Sequence, residues 1–230
     1  VIQKKTIPKG KRLVLNSHLN SIVAEQFRTI RANIKFAMRD REFKTLLITS
    51  PSVGEGKSTI ASNLALIFTQ AGKKVLLVDA DLRKPTVHYT FNKHISKGLS
   101  CFLRNEESLP SIIKNSGKEN LDLITCGTIP SNPNEILDSA EMDNFIKETR
   151  KLYDLIIYDA PPILSVSDAQ ILANKCDGTL IVISAGKTEK KTLSKVKEAL
   201  DNSQAKVIGM ILNNYKIEKD HYYYQYYGDK

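Results

Sequence analysis

Three short stretches hold the residue types that handle phosphate and a hard metal ion. The first is Ser50-Pro51-Ser52-Val53-Gly54-Glu55-Gly56-Lys57-Ser58-Thr59. Gly54 and Gly56 let backbone N–H groups turn inward around phosphate oxygens, and a following helix adds the partial positive charge of its N-terminus. Lys57 would bridge the β- and γ-phosphates, and the Ser58 hydroxyl would ligate Mg²⁺. This reading takes Gly54, Glu55, Gly56, Lys57, Ser58 and Thr59 as the nucleotide-binding set. Pro51 stands where GxxxxGK[ST] has its first glycine, so the loop alone could be a glycine-bearing turn that caps a helix.

The second stretch, Val75-Leu76-Leu77-Val78-Asp79-Ala80-Asp81-Leu82-Arg83, is an apolar run ending in two carboxylates one residue apart. The third, Leu155-Ile156-Ile157-Tyr158-Asp159-Ala160-Pro161-Pro162, ends in one, the Walker B pattern. Asp159 would bind Mg²⁺ through a water, because that ion keeps much of its shell. A strand-terminal Asp is commonly a cap or turn former. Acids at the ends of both runs, beside a Gly-Lys-Ser-Thr loop, make that coincidence a poor account. Asn213-Asn214-Tyr215-Lys216 lacks the Asn-Lys-x-Asp that reads guanine. An Asn amide can pair with adenine, which makes Asn213 the expected adenine contact and ATP the expected nucleotide.

Such residues need a scaffold that delivers them to one edge. From Thr45 onward, apolar runs at 45–49, 74–79, 121–125, 154–159, 178–184 and 206–212 alternate with helical stretches, including one from Lys57 to about Ala71 and one over 133–152. Runs without polar alternation suit strands covered on both faces. The pattern predicts an α/β fold with a doubly wound, mostly parallel sheet, P-loop NTPase-like with Walker A, A′ and B motifs, and ligands beyond the carboxyl ends of its strands. Upstream, Ser17 is a good N-cap type, and Leu19, Val23, Phe27, Ile30, Ile34 and Ala37 recur at helical spacing. Glu25, Arg28 and Arg31 form a polar stripe on that helix, away from the apolar face.

Composition bounds the rest. The 230 residues carry a net charge of +9, and residues 1–44 hold eleven Lys and Arg against three acids. The division expected is a basic arm over 1–16, a core domain over 17–214 and a tail over 215–230. The arm could meet acidic lipid, nucleic acid or protein, or simply be solvated. No apolar run of ~18 residues is present, so no membrane span is expected, nor is a secretory signal. Cys101, Cys126 and Cys176 lack CxxC spacing, which argues against a disulfide scaffold or zinc site and for a reducing, cytosolic compartment. The four histidines lack ligand spacing. In the tail, Tyr222, Tyr223, Tyr224, Tyr226 and Tyr227 cluster without core-forming periodicity.

With these residues in view, the sequence resembles the bacterial tyrosine kinases of capsular and exopolysaccharide synthesis. The resemblance rests on residues 52–58, 78–85 and 159–162, on the stripe Glu25-x-x-Arg28-x-x-Arg31, and on the tyrosine-rich tail. It implies ATP and Mg²⁺ as cofactors, with Lys57 and Ser58 on phosphate and metal and Asp81 and Asp159 as outer-shell magnesium ligands. Asp79 would accept the tyrosine proton, although the roles within the Asp79/Asp81 pair stay open. It further implies autophosphorylation of the five tail tyrosines between subunits of a homo-oligomeric ring joined through Glu25, Arg28 and Arg31. A membrane-embedded activating adaptor would hold the chain at the inner face of the cell membrane. Protein substrates would belong to polysaccharide synthesis, and no nucleic acid is expected. Residues 1–16 match nothing in the family's core and are either a native arm or an adaptor-derived segment. Gly127–Pro133 also matches a family segment, for which a proline-rigid turn is the simplest reading.

Two other readings stand beside it. A ParA/MinD-like ATPase shares the superfamily, but its loop carries an extra lysine where this chain has Ser52, and a tyrosine tail has no role there. A nucleotide-dependent scaffold would not need Lys57, Asp79, Asp81 and Asp159 together.

Overall fold

The computed structural model describes Leu13, residues 21–38 and residues 43–215. The remainder of the basic arm, Ser17, Leu19 and the tail tyrosines Tyr222, Tyr223, Tyr224, Tyr226 and Tyr227 lie outside the described residues. Seven strands form one sheet: β1 (Thr45–Thr49), β2 (Val75–Asp79), β3 (Lys114–Lys118), β4 (Leu121–Ile124), β5 (Leu155–Asp159), β6 (Gly178–Ser184) and β7 (Val207–Asn213). Their spatial order is β3-β4-β2-β5-β1-β6-β7, and every pairing is parallel except β3 with β4.

The helices divide between the two faces. One layer holds α1 (Ile22–Ala37), α2 (Lys57–Thr69) and the short α3 (Val87–Thr90). The opposite layer holds α4 (Leu99–Leu103), α5 (Leu109–Ile112), α6 (Pro133–Leu137), α7 (Ala140–Leu152), α8 (Asp168–Lys175) and α9 (Lys190–Asn202). Strand residues alternate between the two cores. Leu47, Leu76, Ile156 and Ile181 face α7 to α9, while Leu46, Leu77, Ile157 and Leu180 face α1 and α2. Each such fully buried side chain contributes roughly 1.5–3 kcal/mol, which makes the central strands a stiff platform. Helix α2 is buried around most of its circumference, because the sheet covers one side and α1 packs on another; the buried Ser62 hydroxyl turns back to the Ser58 carbonyl and the Asn63 amide to the Thr59 carbonyl. Arg31 fastens those two helices, donating from Nη1 to the Ile67 carbonyl in the last turn of α2 at 2.9 Å.

Several expectations need correction. Ser21 caps α1, its hydroxyl accepting from the Ala24 N–H at 3.2 Å, and the buried face runs through Ala24, Phe27, Ile34 and Met38 while Val23 and Ala37 are exposed. Helix α2 stops at Thr69 rather than Ala71. The helix expected over 133–152 is two, because Ser139 accepts from the Met142 N–H and starts a new helix after Leu137. Strand β3 was not expected: Lys-Asn-Ser-Gly-Lys is polar, lies at the sheet edge and pairs with an irregular register.

Candidate functional site

The loop between β1 and α2 is built on two left-handed glycines, Gly54 at φ +81° and Gly56 at φ +96°. Gly56 is also the N-cap of α2, with no side-chain cap, so the first N–H groups of the helix stay directed at the loop. A Cβ on Gly56 would lie 2.1 Å from Asn213 Nδ2, so only glycine fits. Pro51 is buried at the start of the loop, and the Ser50 carbonyl accepts from the Ile163 N–H at 2.9 Å. The departure from the usual pattern therefore leaves the loop intact.

The register of the sheet brings the acids to this loop. Asp79 and Asp159 are direct partners on neighbouring parallel strands, and Asp159 also pairs with Ile48 near the end of β1. Lys57 Nζ lies 2.9 Å from Asp81 Oδ2, 3.6 Å from Asp159 Oδ1 and 3.4 Å from Ser58 Oγ. Burial works against the Lys57 charge, but Asp159 and Asp81 outweigh it and raise the ammonium pKa above its usual range. Burial, followed by the Asp159 charge, pushes Asp79 up to about 8. Its Oδ2 accepts from the Thr86 and Val87 N–H groups at 3.0 and 2.9 Å.

Three carboxylate oxygens here, Asp79 Oδ1 and both oxygens of Asp159, are buried without a hydrogen-bond partner. With the buried Ser58 hydroxyl they are the oxygen donors that a hard cation takes. Among the described residues no group of three or more His, Cys, Asp or Glu is arranged to hold a metal alone. Mg²⁺ is commonly held by one or two carboxylates plus substrate phosphates, so the donor set fits a metal that arrives with a nucleotide.

A cleft of about 630 Å³ opens on this cluster, lined by Gly54, Gly56, Lys57, Ser58, Asp81 and Arg83 among others. Asp81 is thus on the cleft wall, whereas Asp79 and Asp159, both 0% exposed, lie behind it. Three sequence-derived assignments change in detail. The Glu55 side chain is buried and turned toward Ser184 and Thr188, so only its backbone can face phosphate. Asn213 donates its amide to the Glu55 carbonyl at 2.8 Å, which places it on the loop. Glu25 and Arg28 pair with each other on α1, apart from the inward-reaching Arg31. Thr59 lies in the first turn of α2, where its carbonyl accepts from Asn63.

Sequence reasoning missed the pair formed by Arg83 and Asp168. Arg83 reaches the fully buried Asp168 carboxylate with Nε at 2.9 Å and Nη2 at 3.0 Å, fixing the cleft wall to the start of α8. An arginine two residues after Asp81 was a usable signal; a lone Asp 85 positions later was not. Gly127–Pro133 is a connection anchored at its start, where Gly127 is left-handed at φ +85° and Ser100 donates to the Thr128 carbonyl at 2.6 Å, while Ile129 and Ser131 are exposed. An apolar groove of about 510 Å³ between α9 and β7 contains no residue of the phosphate loop.

Residues 43–214 match the family described as AAA domain. The chain is 48% identical to the tyrosine-protein kinase YwqD of Bacillus subtilis, over 96% of this chain and 95% of that one. It is 40% identical to the tyrosine-protein kinase CpsD of Streptococcus agalactiae, over 82% and 81%. Among solved structures, the chimerical protein CapA2B2 superposes with TM-score 0.86 at 38% identity, covering 89% of this chain and 90% of that one. The kinase domain of Escherichia coli tyrosine kinase ETK gives 0.84 at 28%, covering 96% and 88%. MinD of Pyrococcus horikoshii, at TM-score 0.64 and 24% identity, shares the fold alone. A P-loop sheet with a lysine set among three aspartates, in a chain this close to named kinases, belongs to the bacterial tyrosine-protein kinases.

Proposed function

We propose that this kinase transfers the γ-phosphoryl group of ATP to the tyrosines of its own tail, Tyr222, Tyr223, Tyr224, Tyr226 and Tyr227, between subunits of a homo-oligomer. The observation that carries the reading is Lys57 held between Asp81 and Asp159, with carboxylate oxygens beneath it that accept no hydrogen bond. The loop N–H groups and Lys57 bind the phosphates; Ser58, Asp81 and Asp159 would hold Mg²⁺, which supplies charge neutralisation at the β- and γ-oxygens. The phenol oxygen bonds to the γ-phosphorus as the bridging P–O bond to ADP breaks, and its proton must pass to a base. Asp79 suits that task because burial and the Asp159 charge make its carboxylate more basic than usual, and its Oδ1 accepts no hydrogen bond. Asp81 is a second reading for the base, favoured by its place on the cleft wall.

Family membership supports a reading of the context as well. Capsule or exopolysaccharide synthesis is the process regulated, proteins of that synthesis are the external substrates, and a membrane-embedded adaptor activates the chain at the cytoplasmic face. No helix among the described residues is long and apolar enough to cross a membrane, which accords with an adaptor doing so. The α1 stripe of Glu25, Arg28 and Arg31 is the subunit contact in this reading, and Asn213 contacts the adenine.

Mixing two variants tests the central claim. Lys57→Met keeps the tail but loses the cation on the phosphates, and its own transfer rate is expected to fall by roughly 10³-fold or more. Changing the five tail tyrosines to Phe keeps the catalytic site but removes the acceptors. With labelled ATP and Mg²⁺, neither alone should label its tail, and the mixture should label the Lys57→Met chain. An unlabelled mixture defeats transfer between subunits; undiminished labelling of the five-Phe variant defeats the tail as main substrate.

A further inference from the structure

Glu55 belongs to the phosphate loop, yet its carboxylate leaves the cleft. The residue is 1% exposed, and its Oε2 accepts from the Ser184 N–H at 2.6 Å and from the Thr188 hydroxyl at 2.9 Å. Ser184 ends β6, and Thr188 lies in the turn that joins it to α9. Two more bonds cross the same seam. Lys187 Nζ donates to the Val53 carbonyl at 2.6 Å, and Asn213 Nδ2 donates to the Glu55 carbonyl at 2.8 Å. The turn is in turn tied to β7, because the Ala185 N–H donates to the Asn213 carbonyl at 2.8 Å and Asn214 Nδ2 to Ser184 Oγ at 2.9 Å.

A buried carboxylate is costly unless its oxygens are occupied, so an acid here needs the turn as much as the turn needs it. Its neighbours Gly54 and Gly56 adopt left-handed backbone and have no side chains with which to anchor themselves. Glu55 is therefore the loop's own side chain in this seam, where Lys187 and Asn213 reach in from the other side to loop carbonyls. We propose that Glu55 is a positioning residue: its carboxylate fixes the phosphate loop against the β6–α9 turn and so keeps the loop N–H groups and Asn213 in a nucleotide-binding arrangement, without touching the nucleotide. The inference rests on the ATP reading above and adds to it which side chain sets the loop.

The test measures binding of a fluorescent ATP analogue to the full chain, with KM and kcat for ATP alongside. Glu55→Ala should weaken binding about tenfold, as expected for losing hydrogen bonds to a charged acceptor. KM for ATP should rise by a similar factor while kcat falls no more than about twofold. Glu55→Gln retains an acceptor oxygen and should recover most of the lost affinity. Thr188→Val, which deletes one donor with little change of shape, should weaken binding about threefold, and should add nothing in the Glu55→Ala background. Folded Glu55→Ala that binds within twofold of wild type overturns the inference, as does Glu55→Gln that is as impaired as Glu55→Ala. If Glu55→Ala does not fold, unchanged binding by Thr188→Val overturns it. Wild type that fails to bind the analogue overturns the ATP reading itself, a result separable from all of these.

Discussion

Aspartates stand at both ends of the central strands, in opposite surroundings. At the amino ends of β1 and β6, Asp177 Oδ2 accepts from the Lys44 and Thr45 N–H groups at 2.8 and 2.9 Å, from the Thr45 hydroxyl at 3.0 Å and from Arg150 Nη1 at 2.6 Å. Burial alone would push that carboxyl up, but the backbone N–H groups, the Thr45 hydroxyl and Arg150 hold it below the usual carboxylate range. At the carboxyl ends, Asp79 is pushed up and Asp159 keeps two oxygens without hydrogen bonds. The satisfied end stabilises the sheet. The unsatisfied end keeps its donors available for a ligand, at a cost in stability that the rest of the fold must offset.

The sharpest way to break this comparison is Asp79→Asn. Proton acceptance by a positioned base is worth roughly 10²–10⁴ in rate, and a loss on that scale is expected in a labelled-ATP assay. If Asp81 is the base instead, Asp79→Asn loses less and Asp81→Asn more. The same Asp79→Asn change should stabilise the protein. Because the folded pKa lies above the unfolded value, the wild type binds the proton more tightly when folded and loses stability as pH rises from about 4 to about 8. The amide has no such titration, so its advantage in melting temperature should grow across that window and vanish below it.

Asp177→Ala should show the converse at smaller scale. It leaves the buried Thr45 N–H without its acceptor, which costs about 2–3 kcal/mol and lowers the melting temperature by roughly 5–10 °C. Its folded pKa is depressed, so the contribution is present above the unfolded value and is lost as pH falls through the folded one; the gap between wild type and variant should close in acid. Kinase rate per folded molecule should not change, since the residue lies about one strand length, ~15 Å, from the site. A parallel loss of rate would show that the two ends are not independent.

The smallest energetic effect is expected on α1. Within one chain the Glu25–Arg28 pair is half-exposed and worth only ~0.3–0.5 kcal/mol. Replacing Glu25 and Arg28 with alanine should therefore move the melting temperature little; the triple change that adds Arg31→Ala also removes the bond to the Ile67 carbonyl and should lower it by a few degrees. If the stripe joins subunits, the same change should reduce the mass seen by light scattering to that of a monomer. An unchanged mass assigns it to the surface of a single chain.

What the sequence made legible follows from how local each signal is. The phosphate loop and the acids at 79, 81 and 159 were readable because each ends a continuous apolar run, and the fold brings those run-ends together. The direction of Glu55 was not, because it depends on donors in a turn some 130 positions away. Asp177 and Asp168 were missed for the same reason: a single acid that binds distant backbone or one distant arginine leaves no periodic trace. Strand β3 hid because a polar edge strand shares its composition with a loop. The break before Ser139 hid inside a pattern that stays helical on both sides of it.

The direct pairing of Asp79 with Asp159 places a constraint on insertions and deletions rather than on side-chain identity. Side chains along a strand alternate with period two, so removing one residue from β2 would preserve its apolar character and still turn its terminal carboxylate toward the opposite core. Leu77 and Ile157 share the α2-facing side with the two acids, while Leu76, Val78 and Ala80 take the other. A single-residue deletion inside β2 is therefore more damaging to the site than exchanging its leucines for other large aliphatics. The loops after α2 and before β5 enter neither carboxylate's phase, and length variation belongs there.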